Sequence, residues 1–417
     1  MNNSNIILKN QIILNAMKNN ISLSPNEKKK LLLSKSSSDL EKIWNDKIRS
    51  SINEEDLCLE TINFDLHSLL SSVPDYVFSK SNRKDYIDAV GDNVISDNLK
   101  SIILNGSNYR LITEDQVKSK LVLANQEVTK MIDRIPSDYL NRKNIKYFFL
   151  LLGMEIIINT KSSKEYILSL WLLGLTSKGL DNIVGNSYSE LYEYCMNHYI
   201  SSTKIVEEAN ERGNLSFRDF VKFLCIDFQA LTIKGSMKSM AGKLFERLIL
   251  GTSLSILGFE FKSTAIPTED YDKYADHSNP IFWLSSKEDN DGREKDATIL
   301  FKKKIINIDI GLIGKGNPEI INDKITRYRD TVKRNHIDIA SEHTIVIAGE
   351  KNDGQTITQA AREAHATVIE IHDNKNWIVD LNDDITNFFD NFISKFNYND
   401  YKDKNDVIDI DFKKFIQ

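Results

Sequence analysis

The sequence predicts a chain in two parts, a large and mostly helical first half followed by an α/β domain with a mixed central sheet. Three observations carry this. From about Ser38 to Asp227 apolar residues recur three and four apart, the spacing of one helix face, with few alternating β-branched runs between them. After Lys234 short apolar runs typical of strands alternate with helix patterns. The length of 417 residues also exceeds what one ordinary core supports, so boundaries of 1–230 and 231–417 follow.

The helical half reads as Asp39 to Ile52, Glu114 to Asp133, Asp138 to Ile158, Ser163 to Leu175, Ser187 to His198 and Ser216 to Phe228. Its most apolar stretch, Tyr147 to Leu175, is broken by Glu155, Lys161, Lys164 and Glu165, and so predicts two packed helices. A membrane span needs about 20 nearly uncharged residues. In the second half, Met237 to Leu257 predicts one long helix closed by Gly258, a residue suited to a left-handed cap. Phe259 to Ala265 and Ile281 to Ser285 follow as strands. Asp296 to Phe301 and Ile305 to Ile313 flank Lys302-Lys303-Lys304 and predict a hairpin. Asn317-Pro318-Glu319 carries the signals of a helix start and opens a helix to about Arg334. Thr344 to Ala348 is an apolar strand, Gln355 to His365 a helix and Thr367 to Ile371 a last strand.

The formal net charge is −6, with 54 Lys and Arg against 60 Asp and Glu, which excludes a uniformly basic nucleic-acid coat. It leaves room for a DNA-processing enzyme with its positive charge in one cleft. Cys58, Cys195 and Cys225 are odd in number and widely spaced, so they fit neither a disulfide framework nor a zinc site. The N-terminus lacks both a basic segment and a sustained apolar run, so no signal peptide is expected, and the cytoplasm is the expected compartment.

Candidate chemistry gathers in the second half. Asp309 stands in the apolar run Ile305 to Ile313, and a carboxylate buried there costs several kcal/mol unless it meets a cation, a metal or water. Asp296 opens the first hairpin strand, and antiparallel neighbours lie about 4.8 Å apart, so both acids converge at one end of the hairpin. Two carboxylates make a hard-oxygen site suited to Mg²⁺. The alternative is a structural ion pair holding Asp309. Glu246 shares its helix face with Ile249 and Leu250. A basic helix carries Lys324, Arg327, Arg329 and Arg334, and Lys234, Lys238, Lys243 and Arg247 crowd the earlier helix. Such cations supply sequence-independent affinity for DNA phosphates. The Gly311 to Asn317 loop has the spacing G-x-x-G-x-G, neither a dinucleotide fingerprint nor a Walker loop, and fits a tight turn better. His277, His336, His343, His365 and His372 show no metal-ligand spacing.

Several segments together resemble the CfrBI family of type II restriction endonucleases: Lys234-Gly235-Ser236, Ala241 to Glu246, Leu254 to Phe259, Phe282 to Ser286, Arg293 to Thr298, and Ile308 to Gly314 running into Gly316 to Ile320. The resemblance implies a PD-(D/E)xK nuclease core behind the helical domain and Mg²⁺-dependent, dimeric cleavage of a short palindromic site in double-stranded DNA, with a CCWWGG-like sequence as the family's example. Asp296 then matches the first acid, Asp309 the acid of the second element and Glu246 the additional helix acid. Gly311 stands where the superfamily's lysine is usual, which leaves Lys324 or Lys315 to reach in from elsewhere. Arg327, Arg329, Arg334 and Lys243 would hold DNA. A homodimer or higher oligomer and a cognate DNA methyltransferase are the expected partners. The rival expectation is a non-catalytic DNA-binding protein on a nuclease-like fold.

Overall fold

The computed structural model describes residues 3–33, 36–78, 82–108, 110–184, 187–211, 213–285, 296–311, 342–349, 366–372, 374–390, 392 and 411–416. The chain forms two compact units, Met1–Lys80 with Val117–Ser236, and Ser81–Gln116 with Met237–Gln417.

The first unit is helical. Its central helix, Ile145–Ile158, is buried nearly all round and packs against Asn3–Lys18, Lys164–Leu172 and Tyr188–Asn210. A helix apolar on every side has no solvent face, so it lies inside the unit. Gly153 permits the closest approach, since a Cβ there would stand 2.8 Å from the Cys195 sulfur. Glu155, buried in this helix, meets His67 Nδ1 at 2.8 Å and accepts from Asn159 Nδ2 at 2.8 Å. The expected start of the helix at Asp138 falls instead on a short 3-10 turn, Ser137–Tyr139, after Pro136. Asn141 Oδ1 then accepts from the amides of Lys143 and Asn144, which holds the chain in a turn before the helix begins.

The break expected near Lys234 is absent: Phe217–Ile256 is one helix of 40 residues. Gly235 lies inside it with open space about its Cα. One glycine costs a helix about 1 kcal/mol, less than the apolar residues on either side recover by packing. The end at Gly258 is as expected, with φ of 87° and the Phe259 amide donating back to the Leu254 carbonyl at 3.1 Å.

In the second unit six strands form one sheet: β1 Glu260–Phe261, β2 Ile281–Leu284, β3 Ala297–Phe301, β4 Lys304–Gly311, β5 Glu342–Ala348 and β6 Ala366–Glu370. They neighbour one another in chain order. β2, β3 and β4 pair antiparallel, while β1 with β2, β4 with β5 and β5 with β6 pair parallel, which makes the sheet mixed. The β3–β4 turn is Lys302-Lys303, both at positive φ, as the twist of a two-residue hairpin demands. One sheet face presents Ala297, Ile299, Ile306, Ile308, Ile310, Ile345 and Ile347 to a core shared with Leu244, Leu248 and Trp377. Two further helices, Arg83–Val90 and Asp92–Asn105, join that core through Tyr86, Ile87, Leu99 and Ile102. The indole of Trp377, which opens the helix Trp377–Phe388, donates to the Ile102 carbonyl at 3.0 Å. The helices expected over 317–334 and 355–365 lie outside the described residues.

Candidate active site

Side chains alternate along a strand, so the residues between the core isoleucines of β4 face the other side of the sheet. These are Asn307 and Asp309, both buried, next to Thr298 of β3 and Thr344 of β5. A polar row thus crosses three strands on the face away from the main core. Asp309 is 5% exposed and pairs in register with Val346. It is held by further electrostatic or hydrogen-bonding contacts and is not a bare charge.

Asp296 lies one residue before β3, where the strand is kinked. Its amide donates to the Ile308 carbonyl on β4 at 3.0 Å, while its carbonyl accepts from the Ser285 amide, just past β2, at 3.1 Å. A regular antiparallel residue turns both groups toward one neighbour. The kink lets the Asp296 side chain take the place of a ladder partner, and Oδ2 accepts from the Ile310 amide at 2.9 Å. That amide belongs to the peptide that leaves Asp309, so the Asp296 carboxylate lies within about 5 Å of the Asp309 Cα.

Arg247 of the long helix closes the same end of the hairpin. Its Nη1 donates to the Ser285 carbonyl at 2.6 Å and its Nε to the Phe415 carbonyl at 3.2 Å. Burial lowers the pKa of this guanidinium, the charge of Arg83 lowers it further, and Asp296 opposes both. Arg247 stood among the basic residues of its helix in the sequence, but its partners lie at residues 285 and 415, which no local spacing indicates. Arg83, far away in the chain, gave no signal at all.

Glu246 is half-buried with contacts of its own. Among the described residues no three His, Cys, Asp or Glu side chains gather as a metal site. Lys243 is exposed, and Lys238 reaches Glu114 at 3.9 Å. Lys315, Lys324, Arg327, Arg329 and Arg334 lie outside the described residues. Gly311 ends β4, and its carbonyl accepts from the Gly349 amide at 2.9 Å. His343 meets Asp384 at 2.8 Å and stacks on Phe388. No helix of the described residues is long and apolar enough to cross a membrane.

Against this geometry, the family model for the CfrBI restriction endonuclease matches residues 93–355. The type II restriction enzyme CfrBI of Citrobacter freundii is 30% identical over 314 residues, 71% of this chain and 82% of that enzyme. The chain belongs to the CfrBI restriction endonuclease family. The match takes in both aspartates, Arg247 and the whole of β1 to β5. No solved structure matches the chain. Membership makes it a restriction endonuclease by descent and DNA its partner; the chemistry at the hairpin must be argued from the residues.

Proposed function

We propose that the chain is a type II restriction endonuclease that hydrolyses both strands of duplex DNA at a specific short palindrome, with Asp296 and Asp309 holding Mg²⁺. The observation that carries this reading is the Asp296 carboxylate on the Ile310 amide, which holds two acids at one end of a buried hairpin. The donor set fits the ion. Mg²⁺ takes one or two carboxylates and keeps several waters, and Asp296 and Asp309 bring two carboxylates to one end of the hairpin. Mg²⁺, when bound, lowers the pKa of its water and offsets charge on the phosphate. The chain's own residues do the rest: β3 and β4 fix both carboxylates, Arg247 ties the end of β2 to the long helix, and the fully buried isoleucine face keeps the hairpin rigid. The lysine the superfamily places after the second acid is Gly311 here, so Lys315 or Lys324 is proposed to supply that cation. Cleavage of a palindrome calls for a two-fold pair of chains, hence a homodimer. A CCWWGG-like site and a cognate methyltransferase complete the proposal.

Asp309→Ala separates this from the rival. We expect plasmid cleavage in Mg²⁺ to be lost and DNA binding to persist; unchanged cutting would remove Asp309 from the chemistry. Gly311 is the one feature that favours a non-catalytic DNA binder, for which the wild-type protein would shift DNA and cut none. Discrete fragments indicate a restriction enzyme, and a smear indicates a non-specific nuclease.

A further inference from the structure

We infer that Arg247 is a positioning residue for DNA cleavage: it occupies the Ser285 carbonyl and so frees the Asp296 amide to form the kink that carries the Asp296 carboxylate to the Ile310 amide. The inference rests on the nuclease reading above and adds the side chain that keeps its first acid in place.

β2 and β3 pair antiparallel with Leu284 opposite Ala297, and β3 and β4 pair with Ala297 opposite Ile308. Continued by one residue, the first register sets Ser285 against Asp296. The Ser285 amide does donate to the Asp296 carbonyl, at 3.1 Å. In a regular ladder the two residues of such a pair exchange both of their bonds. Here the return bond is not made. The Asp296 amide, which would donate back to the Ser285 carbonyl, goes instead to the Ile308 carbonyl at 3.0 Å. The Ser285 carbonyl takes Arg247 Nη1 in its place, at 2.6 Å.

An amide has one hydrogen to give, so Asp296 must choose between the carbonyls on either side of it. Ser285 is half-buried, and a carbonyl left without a donor there costs free energy. Without Arg247 the remedy is the regular bond from the Asp296 amide. β3 would then lengthen by one residue, and Asp296 would turn away from β4. Its Oδ2 would leave the Ile310 amide, which lies 2.9 Å away in the kinked arrangement. Arg247 is anchored for this task from its other side. Its Nε donates to the Phe415 carbonyl at 3.2 Å, and Phe415 is fully buried. A planar guanidinium bonded through two nitrogens is held in one orientation, whereas lysine offers a single ammonium on a flexible stem.

The test is amide hydrogen exchange of the full-length protein, without DNA or metal, read at Ile310, together with kcat and KM of plasmid cleavage in Mg²⁺. In Arg247→Met, which keeps a long stem and removes every donor, Ile310 should exchange about 10-fold faster while Ile306, nearer the turn, keeps its rate. Misplacing the acid should lower kcat on the order of 100-fold and leave KM unchanged. Arg247→Lys should show both changes in smaller measure. Wild-type exchange at Ile310 in Arg247→Met overturns the inference. So does faster exchange along the whole of β4, which would make Arg247 a general tie between helix and sheet. A raised KM with wild-type kcat overturns it too, by making Arg247 a DNA contact, as does wild-type kcat despite fast exchange at Ile310. If Arg247→Met does not fold, the lysine variant decides, and wild-type exchange and kcat there overturn the inference. The two readings fail separately. A wild type that never cuts, with Ile310 exchange that depends on Arg247, removes the nuclease reading alone. A wild type that cuts, with Ile310 exchange indifferent to Arg247, removes the positioning role alone.

Discussion

Gly251→Ala tests how tightly the second unit's core is closed around the end of the chain. Gly251 lies on the long helix, and an added Cβ would fall 2.5, 2.6 and 2.7 Å from Cγ, Cδ1 and Cδ2 of Phe415. Carbon atoms rest about 3.5–4.0 Å apart, so the ring must retreat by about 1 Å. It has nowhere easy to go: Phe415 is fully buried and packs edge-on against Phe261, with centroids 5.0 Å apart. Overpacking of this kind costs about 1–3 kcal/mol, read as a lower urea midpoint with an unchanged slope. Phe415→Ala alone should cost about 3–5 kcal/mol through the cavity it leaves. In Phe415→Ala the clash has no partner, so adding Gly251→Ala should cost nothing more, a coupling as large as the single-mutant penalty. Additive losses, or a Gly251→Ala protein as stable as the wild type, would refute the packing argument. The Phe415 carbonyl also accepts from Arg247, so the shifted ring should slow DNA cleavage beyond the effect on stability.

Two other outcomes concern the first unit. His198 is half-buried between Phe149 and Tyr194, and desolvation lowers its pKa from the ordinary 6.5 to about 4. The unfolded chain therefore takes up a proton between those values that the folded one refuses, and stability falls as pH drops from about 6.5 to 4. The loss is on the order of 3 kcal/mol, and His198→Phe should flatten the pH profile in that window; a profile unaltered by the substitution would speak against it. Cys195 and Cys225 are buried, and burial raises both thiols, Cys195 to about 12. A thiol reagent should modify Cys58 alone in the native protein and all three cysteines in denaturant. Native labelling of Cys195 would contradict the packing of Gly153 against it.

The elements governed by local rules were legible. The β3–β4 hairpin shows in two apolar runs joined by lysines, and Gly258 ends its helix because only a left-handed residue fits there. The polar-face position of Asp309 follows from strand alternation. Three features were decided by distant partners instead. The helix Phe217–Ile256 runs through Gly235 because packing on both sides outweighs a local preference. The kink at Asp296 depends on Ser285 and Ile308 bonding to opposite sides of one residue. The charge of Arg83 acts on Arg247 from far along the chain, its helix sharing one core with the long helix through Tyr86 and Ile87. The helix Trp377–Phe388 was not read, although Trp377, Ile378, Leu381 and Ile385 keep a helical rhythm, and the indole bond to Ile102 anchors it.

The bend before β3 also changes what a loss-of-activity substitution at its acid would mean. With alanine at 296, the Ile310 nitrogen forfeits its acceptor as well as its neighbouring negative charge, and the hairpin frays where Asp309 needs it stiff. An asparagine keeps an oxygen for that amide while discarding the charge. Only the pair of variants, compared side by side, separates scaffolding from chemistry at this position.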